Sequence, residues 1–273
     1  MTQPNQNQLP MISAVMPSYN QGNFIGEALD SILNQGYPHL EVIVVDGQSK
    51  DNTLDVLKGY GDRIQWSSEK DKNQSDALNK GFAKAKGEII AWLNSDDAYD
   101  TDALLTVGQY FAEHPECEWL FGRCIIIDEN SREIRKWITA YKNFFLRRYS
   151  YGSLLAQNCL SQMAVFFRRR LMDEVGPVDV QYQNGMDYDL FLRFAAKHEP
   201  HFIDQNLGKF RVHTYSKTVY QTKDLFDSDF AIAKKHAGSN RWAVLLHKLF
   251  HIGILTFYGL AGFWASLKAK IKK

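Results

Sequence analysis

The N-terminal third of the chain alternates between short apolar runs and amphipathic segments, and this alternation limits the folds open to it. The run Glu41–Asp46 is almost entirely β-branched, as in a strand that is covered on both faces. In the segment Ile25–Leu33, apolar residues recur at i, i+3, i+4, i+7 and i+8, which is one face of a helix. The alternation therefore predicts an α/β fold with a Rossmann-like, open and mostly parallel sheet flanked by helices.

Polar clusters follow the predicted strands of this region. Strands are predicted over Ile12–Met16 (ended by Pro17), over Glu41–Asp46, around Ile64–Trp66 and over Glu88–Leu93. The polar clusters are Tyr19-Asn20, Asp46, Glu69–Asp71 and Asn94–Asp97. Since the carboxyl ends of parallel strands meet at one edge of a sheet, where such folds bind ligands, we expect the clusters to share a site.

The turn Asn94-Ser95-Asp96-Asp97 directly follows the fourth predicted strand. Carboxylates at this place suit a hard divalent cation that carries a nucleotide diphosphate, because such a cation prefers oxygen ligands. A turn of the same composition is equally typical of a solvated loop or a helix cap. Taken alone, the turn leaves both interpretations open.

The second half of the chain predicts less regular structure. Its predicted elements are a helix over about Asp102–Glu113, a β-hairpin of Cys124–Asp128 with Glu133–Trp137, a strand over Gln162–Phe167, a solvated helix start at Arg168–Arg170, a helix just after Asp187 and a late strand over Phe210–His213. Asp189 and Arg193 are spaced i, i+4 and are expected to form a surface ion pair. The late strand is expected to reach back to the shared site.

Composition is that of an ordinary globular protein. Of 273 residues, 45% are hydrophobic, and a net charge of +1 gives no reason to expect nucleic acid as a partner. Cys117, Cys124 and Cys159 show no C-x-x-C spacing, which indicates neither a zinc site nor a disulfide framework. Residues 1–10 are expected to be a disordered polar lead that lacks signal-peptide features, so we expect a cytoplasmic protein.

The tail, residues 221–273, is predicted to be helical and changes in character toward its end. Leu249–Leu267 contains no Asp, Glu, Lys or Arg, and a lysine-rich end follows it. Trp242, Tyr258 and Trp264 supply aromatic residues of the kind found at membrane interfaces. Three interpretations stay open: a helix lying on the cytoplasmic face of a membrane, a helix spanning it, and a helix packed on the domain or on a second subunit.

Five ordered segments carry the most specific sequence signal. They are Met16–Asn20, Glu41–Thr53, Glu69–Gly81, Asn94–Asp97 and Gly185–Arg193. Together they resemble family 2 glycosyltransferases with the GT-A fold, whose corresponding motifs are T-P-x-Y-N, E-I-I-V-V-D-D-G-S-x-D-x-T, E-x-D-x-G-x-x-D-A-x-N-K-G, D-x-D and E-D-x-D-L-x-x-R. The resemblance implies a GT-A domain over residues 11–220, with a nucleotide-sugar half at about 11–100 and an acceptor half at about 101–220.

The resemblance also implies which residues bind the nucleotide sugar. They are Pro17, Tyr19, Asn20, Asp46, Asp71, Lys80, Asn94, Ser95 and Asp97. Asp46 would accept a hydrogen bond from the nucleobase edge. Pro17, Tyr19 and Asn20 would line the base and ribose pocket. Asp71 and Lys80 would close this pocket or contact phosphate.

The metal and the catalytic base follow from the same resemblance. Asp96 would coordinate Mg²⁺ or Mn²⁺ bound to the diphosphate, assisted by Asp97 or Asn94, and His213 would ligate the metal or contact the diphosphate. Such a metal offsets charge on the leaving nucleoside diphosphate. Asp187 would deprotonate the acceptor hydroxyl as it attacks the anomeric carbon, and one direct displacement inverts that carbon.

Plainer roles stay open for several of these residues. Asp46 could cap a turn, Asp187 could be an acid favoured at a helix N-terminus, and His213 could be a packing histidine. Asp71 and Lys80 could be ordinary surface residues.

The chain departs from the family pattern at three positions. Asn94 replaces the first acid of D-x-D, so metal binding should depend mainly on Asp96. Gly47 replaces the second of two adjacent acids, and Met186 stands where the family often has Glu, which leaves Asp187 as the acid of that pair. None of these departures removes a group that the mechanism requires.

The sequence thus predicts an inverting, metal-dependent transferase that moves sugar from a UDP-, GDP- or dTDP-linked donor. The expected acceptor is a glycan or lipid-linked intermediate of polysaccharide or cell-envelope assembly. Two alternatives belong to other classes: a sugar-nucleotide nucleotidyltransferase, and a catalytically degenerate GT-A domain acting as a binding or scaffold subunit. The first alternative needs a Gly-rich basic phosphate loop, which Ser18–Asn23 lacks.

Overall fold

The computed structural model describes residues 8–214, 216 and 221–271 of the chain. The strands are β1 Ile12–Ser18, β2 Leu40–Asp46, β3 Gln65–Ser68, β4 Ile89–Trp92, β5 Ala98–Tyr99, β6 Trp119–Ile127, β7 Val165–Arg168 and β8 His201–Arg211. The α-helices are α1 Ile25–Leu33, α2 Thr53–Gly59, α3 Gln74–Lys84, α4 Ala103–Glu113, α5 Lys136–Leu146, α6 Tyr151–Ala156, α7 Arg169–Val175, α8 Met186–Ala195, α9 Thr222–His236 and α10 Arg241–Ile271. Short 3₁₀ turns lie at Gly61–Arg63 and Gln162–Ala164.

These strands form one sheet in the order β3-β2-β1-β4-β7-β6-β8-β5. The pairs β1–β2, β1–β4, β2–β3 and β6–β8 are parallel. The pairs β4–β7, β6–β7 and β5–β8 are antiparallel. The prediction of an α/β fold with an open, mostly parallel sheet is therefore confirmed.

Helices cover both faces of the sheet, because the strands bury side chains in both directions. In β1, Val15 belongs to one apolar core, whereas Ala14 and Met16 belong to the other. Helices α3, α7 and α8 pack into the core that contains Val15, and α1, α2 and α4 into the opposite core. This three-layer arrangement explains why the central strands are apolar without alternation.

The sheet order reverses beside β1, and this reversal locates the site. From β1 the chain moves outward through β2 and β3, and it then returns to place β4 on the other side of β1. The loops after β1 and β4 consequently diverge around a crevice at the carboxyl ends of these strands. Open α/β sheets bind ligands at such a point.

Several predicted strands have different bounds in the structure. The strand predicted over Gln162–Phe167 is a 3₁₀ turn followed by β7, and the one predicted over Phe210–His213 is the end of β8, which stops at Arg211. Strand β1 continues through Pro17 to Ser18, because beyond Val15 it pairs with β2 alone and a missing N–H costs little there. The predicted hairpin reduces to one bridge between Ile127 and Glu133, since β6 is a single long strand and Lys136 begins α5.

Two charged side chains expected at the surface are buried. Arg168 is 4% exposed, and its guanidinium donates to the carbonyls of Cys117, Phe111 and His114 while pairing with Glu88. Asp189 does pair with Arg193, at 2.9 Å, but its own side chain is only 2% exposed. The i, i+4 spacing correctly predicted the pair of Asp189 with Arg193. It could not predict that α9, which contributes His236, packs against Asp189 and helps to bury it.

The last two helices pack on the core. Ile232 and Ala233 of α9 and Ala243 of α10 are buried in the core that contains Val15. Within the described part of the chain, we find no helix with the length and apolar character needed to cross a membrane. Residues 1–7 of the predicted disordered lead lie outside the described residues. Leu9, which also belongs to that predicted lead, is buried in the core, so the lead does not extend to residue 10.

Candidate active site

A cavity of about 780 Å³ opens at the carboxyl ends of β1, β2 and β4. It is lined by eight of the residues named from sequence: Pro17, Tyr19, Asp71, Asn94, Ser95, Asp96, Asp97 and Asp187. Four other predicted residues, Asn20, Asp46, Lys80 and His213, do not line the cavity but contact residues at or beside it: Lys50, Ser49, Asp71 and Asp96, respectively. Folding thus assembles clusters from both halves of the chain around one space.

The acidic turn after β4 is held in place by hydrogen bonds in which Ser95 donates and Asn94 accepts. Ser95 Oγ donates to the carbonyl of Pro17 at 3.0 Å, which ties the turn to the end of β1. Asn94 Oδ1 accepts from the indole N–H of Trp92 at 3.0 Å and from Gln74 Nε2 at 2.9 Å. Asn94 is therefore occupied in positioning the turn, which fits its departure from the acidic residue of the family motif.

Asp96 and His213 form the candidate metal site. Asp96 Oδ2 lies 3.1 Å from His213 Nε2, and the Asp96 side chain is 25% exposed toward the cavity whereas that of His213 is 2% exposed. One carboxylate and one imidazole suit Mn²⁺ and can also serve Mg²⁺, which binds through few protein ligands plus substrate phosphates. The donor set fits such an ion, whose binding would replace the present contact between the two side chains.

Asp97 is placed differently from Asp96, although the two are neighbours. It is 1% exposed, and its Oδ1 accepts the backbone N–H of Arg211 at 2.9 Å. Burial, followed by the nearby charge of Asp96, raises the pKa of the Asp97 carboxyl well above its usual range. Asp97 thus connects the acidic turn to the end of β8. Arg211 makes a second connection between them by donating Nε–H to the Asp96 carbonyl at 2.8 Å.

Hydrogen bonds join the loop after β1 to the loop after β2 beside the cavity. Asn20 has a φ of +54°, accepts from Lys50 N at 2.7 Å and donates its own N–H to Ser49 Oγ at 2.8 Å. Asp46 is fully buried and accepts from the Ser49 N–H at 3.0 Å and the Ser68 hydroxyl at 2.6 Å. In this structure, Asp46 holds its own turn, and its proposed contact with a nucleobase remains a prediction.

Asp71 and Lys80 form a partly buried ion pair beside this loop. Lys80 Nζ lies 2.5 Å from Asp71 Oδ1, and Asp71 is only 8% exposed. Burial raises the pKa of Asp71, and the Lys80 ammonium opposes that shift. A side chain at Gly47 would lie 3.2 Å from Asp71 Oδ2, so the glycine that replaces the second family acid leaves room for Asp71 at the cavity wall.

Asp187 lies in the first turn of α8, on the cavity wall. Gly185 before it has a φ of +74°, and a Cβ there would lie 2.9 Å from Asp229 Oδ1 of α9. Glycine is required for both reasons, since other residues rarely adopt this φ and α9 packs too closely for a side chain. The close packing brings a second carboxyl group toward Asp187.

The pKa of Asp229 depends on the charge of Asp187. Burial, and then the charge of Asp187, raises the pKa of Asp229 to about 7, against the opposing effects of a hydrogen bond from Asn158 and the charge of Lys142. Its folded pKa exceeds the unfolded value of 3.8. Stability contributed by the protonated form is therefore complete below pH 3.8 and is lost as the pH rises through about 7.

We expect Asp229→Asn to stabilise the protein at pH 8, because it removes a partly buried carboxylate that lies near a second one. The gain in unfolding free energy should be on the order of 2 kcal/mol at pH 8 and should vanish near pH 4. Urea unfolding at both pH values measures it. The exposed Asp62→Asn is the control, and an equal effect of Asp229→Asn at both pH values would contradict the pKa assignment.

Several cavity residues escaped sequence reasoning. Gln162 is buried, donates Nε2–H to the Trp92 carbonyl, and its Oε1 has no hydrogen-bond partner among the described residues. Lys50, Lys70 and Lys72 also line the cavity and supply positive charge. The lysines lie within the recognised segments Glu41–Thr53 and Glu69–Gly81, whereas Gln162 begins the strand predicted over Gln162–Phe167 and carried no signal of its own.

Comparison with known proteins agrees with this geometry. The family model described as glycosyl transferase family 2 matches residues 13–175. A PGL/p-HBAD biosynthesis glycosyltransferase of Mycobacterium bovis is 30% identical over 189 residues, covering 67% of this chain and 69% of that protein.

Two solved structures share the fold. The mannosyltransferase PcManGT from Pyrobaculum calidifontis, solved with GDP-Man and Mn²⁺, matches with a TM-score of 0.67 and 19% identity over 97% of this chain and 82% of its own. S. aureus TarS 1–349 in complex with UDP-GlcNAc gives a TM-score of 0.67 and 17% identity over 84% of this chain and 67% of its own. The predicted resemblance is confirmed: the chain belongs to glycosyl transferase family 2 and is a nucleotide-sugar-dependent glycosyltransferase.

Proposed function

We propose that this protein is an inverting, metal-assisted glycosyltransferase that acts on a glycan or lipid-linked acceptor in polysaccharide or cell-envelope assembly. The observation that carries the proposal is that Asp96 and Asp187, which come from different halves of the chain, line the same cavity. A relative named for PGL/p-HBAD biosynthesis and structural neighbours solved with UDP-GlcNAc or GDP-Man support the class of acceptor and donor.

The donor would lie along the loops after β1, β2 and β4. Pro17 and Tyr19 supply apolar surface for a base and ribose, and Tyr19 is 58% exposed, so its ring is available for stacking. The cavity lysines attract the diphosphate. Asp71 and Lys80 would hold the loop that closes over it.

Asp96 and His213 would hold a divalent cation at the diphosphate. When bound, this ion supplies Lewis-acid stabilisation of the leaving nucleoside diphosphate. The protein's own contribution is to fix the ligands: Arg211 holds the Asp96 backbone, and the His213 ring packs against Phe24 with centroids 4.6 Å apart. Both ligands therefore require little reorganisation when the donor arrives.

Asp187 would act as the general base. It would accept the proton of the acceptor hydroxyl while that oxygen attacks the anomeric carbon from the face opposite the leaving group. Asp229 lies close enough for the charge of Asp187 to raise its pKa, so α9 brings a second carboxyl group near the proposed base. One displacement with one base gives inversion.

Calorimetric titration with UDP, GDP and dTDP, with and without Mn²⁺, tests the donor site. We expect one nucleotide to bind at least about tenfold more tightly with Mn²⁺, because a cation held by Asp96 would offset the negative charge of the diphosphate. A screen of the matching nucleotide sugars should then release nucleoside diphosphate. Failure of all three nucleotides to bind would favour the scaffold alternative, and release of pyrophosphate in place of nucleoside diphosphate would favour a nucleotidyltransferase.

We also propose that the protein works at the cytoplasmic face of a membrane through its C-terminal helix. Support comes from exposed apolar residues on the described part of α10, including Trp242, which is 76% exposed. The lysine-rich end of the sequence beyond Leu267 adds charge suited to lipid headgroups. Such a position would present the enzyme to lipid-linked acceptors.

A further inference from the structure

Helix α5 carries an outward row of large apolar side chains. Trp137, Tyr141 and Phe144 are 57%, 37% and 51% exposed. They are spaced i, i+4 and i+7 and therefore lie on one face of the helix. The opposite side is anchored in the protein, where Leu146 is buried and Phe145 packs against the core.

Helix α10 carries a second row of the same kind. Its exposed apolar residues are Trp242, Leu245, Leu246, Leu249 and Ile252. Ala243 and His247 on the other side are each 4% exposed, and His247 Nδ1 lies 2.8 Å from the Leu155 carbonyl. The inner side of α10 is thus fixed to the domain while the outer row faces solvent.

The two rows are neighbours, joined by the ring of Phe145. Its centroid lies 5.0 Å from that of Tyr141 and 5.4 Å from that of Phe144 on α5. It also lies 5.8 Å from the ring of Phe250 on α10. We call the exposed residues of both rows the α5–α10 surface.

The two helices that carry this surface contribute mainly basic residues, although Glu133, Asp204 and Asp227 lie beside it and pair with Lys136, Arg147 and His251. Residues 134–172 and 230–273 contain no Asp or Glu, whereas the whole chain is nearly balanced at +1. The basic residues within or next to the two rows, apart from the inward-facing Lys142, are Lys136, Arg147, Arg148, Arg241 and Lys248. Arg148 lies over the Phe144 ring at 4.0 Å, so a cation directly borders the apolar row. Positive charge bordering apolar and aromatic residues matches an anionic bilayer interface.

We propose that the α5–α10 surface docks the protein onto an anionic phospholipid bilayer. The apolar and aromatic side chains enter the interface, and the bordering lysines and arginines contact lipid phosphates. A symmetric pairing of two copies through this surface would bring like charges together, which the charge pattern disfavours. The inference extends the proposed membrane partner to a second helix and rests on that proposal alone, not on the catalytic assignments.

This arrangement connects the bilayer to the cavity. Lys142 of α5 reaches inward and donates to Ser161 Oγ at 2.8 Å. The next residue, Gln162, lines the cavity. A protein docked through α5 therefore holds this cavity wall close to the interface, within reach of an acceptor that is itself anchored in lipid.

The test is sedimentation of the full-length chain with vesicles of phosphatidylcholine alone or mixed with phosphatidylglycerol. We expect the wild type to bind the anionic vesicles about tenfold or more tightly, since several cations face the lipid. Phe144→Ser combined with Leu249→Ser should weaken this binding by about tenfold or more. Arg148→Glu should weaken binding to the anionic vesicles severalfold and should make that binding less sensitive to salt, because one cation fewer faces the lipid.

The matched control is Trp66→Ser, which removes an exposed aromatic residue from β3 at the far edge of the sheet. Circular dichroism and nucleotide titration without vesicles verify that each variant is folded and keeps its donor site, so a failure here is separate from a failure of the proposed catalysis. Equal binding of wild type and the double variant would overturn the proposal. A dimer in light scattering that the double variant dissociates, without vesicle binding by either protein, would assign the surface to a second copy and also overturn it.

Discussion

Asp187→Asn should reduce transfer by about 10²–10⁴-fold, the range that a positioned general base contributes. Asparagine keeps the shape of the side chain but cannot accept a proton from the acceptor hydroxyl. Donor binding should be almost unchanged, because the loops that would hold the nucleotide belong to β1, β2 and β4. The measurements are the rate of nucleoside diphosphate release in the presence of acceptor and the affinity for the nucleotide by calorimetry.

Asp173→Asn is the control for this variant, since Asp173 is an exposed acid of α7. Asp189 is unsuitable as a control, because it is buried between Arg193 and His236 and its loss would disturb the helix itself. Full turnover by Asp187→Asn would show that another group takes the proton. A parallel loss of nucleotide affinity would instead assign Asp187 to donor binding.

Asp96→Asn should reduce transfer by about 10²–10³-fold, equivalent to the several kcal/mol that a metal supplies at a developing charge. Of the two carboxylates in the acidic turn, that of Asp96 is the more exposed and the one that contacts His213. The variant should also lose most of the effect of Mn²⁺ on nucleotide affinity. Titration of the nucleotide with and without Mn²⁺ measures this directly and does not depend on turnover.

Asp102→Asn provides a matched control, because Asp102 is exposed and has a left-handed φ of +58°, which asparagine adopts readily. Asp97→Asn gives a second comparison. Since burial already favours the protonated form of Asp97, an amide should preserve its hydrogen bond from Arg211 and reduce the Mn²⁺ effect less than Asp96→Asn does. An unchanged Mn²⁺ response in Asp96→Asn would rule out Asp96 as a metal ligand.

Much of the N-terminal half of the fold follows from local pattern. The β-branched run of β2 and the apolar spacing of α1 are strong signals, and both elements lie within a residue of their predicted bounds. The second half follows less well, because its strands pair mainly with distant segments: β6 pairs with β7 and β8, and it meets the residues that follow it in sequence only at the bridge between Ile127 and Glu133. The predicted hairpin failed for this reason, since a local pattern does not specify a distant strand partner.

The sequence by itself determined the class of fold, the clusters that form the cavity and the membership in the family, because these depend on residue types at fixed short spacings. Only the tertiary structure decided how deeply each carboxyl group is buried and which charged groups lie next to it. Asp96 and Asp97 are adjacent in sequence, yet one faces the cavity beside His213 and the other is buried under β8. Likewise, Asp229 is brought toward Asp187 by the packing of α9 on Gly185. Burial and the charges of sequence-distant neighbours set these differences, and both arise only when the chain is folded.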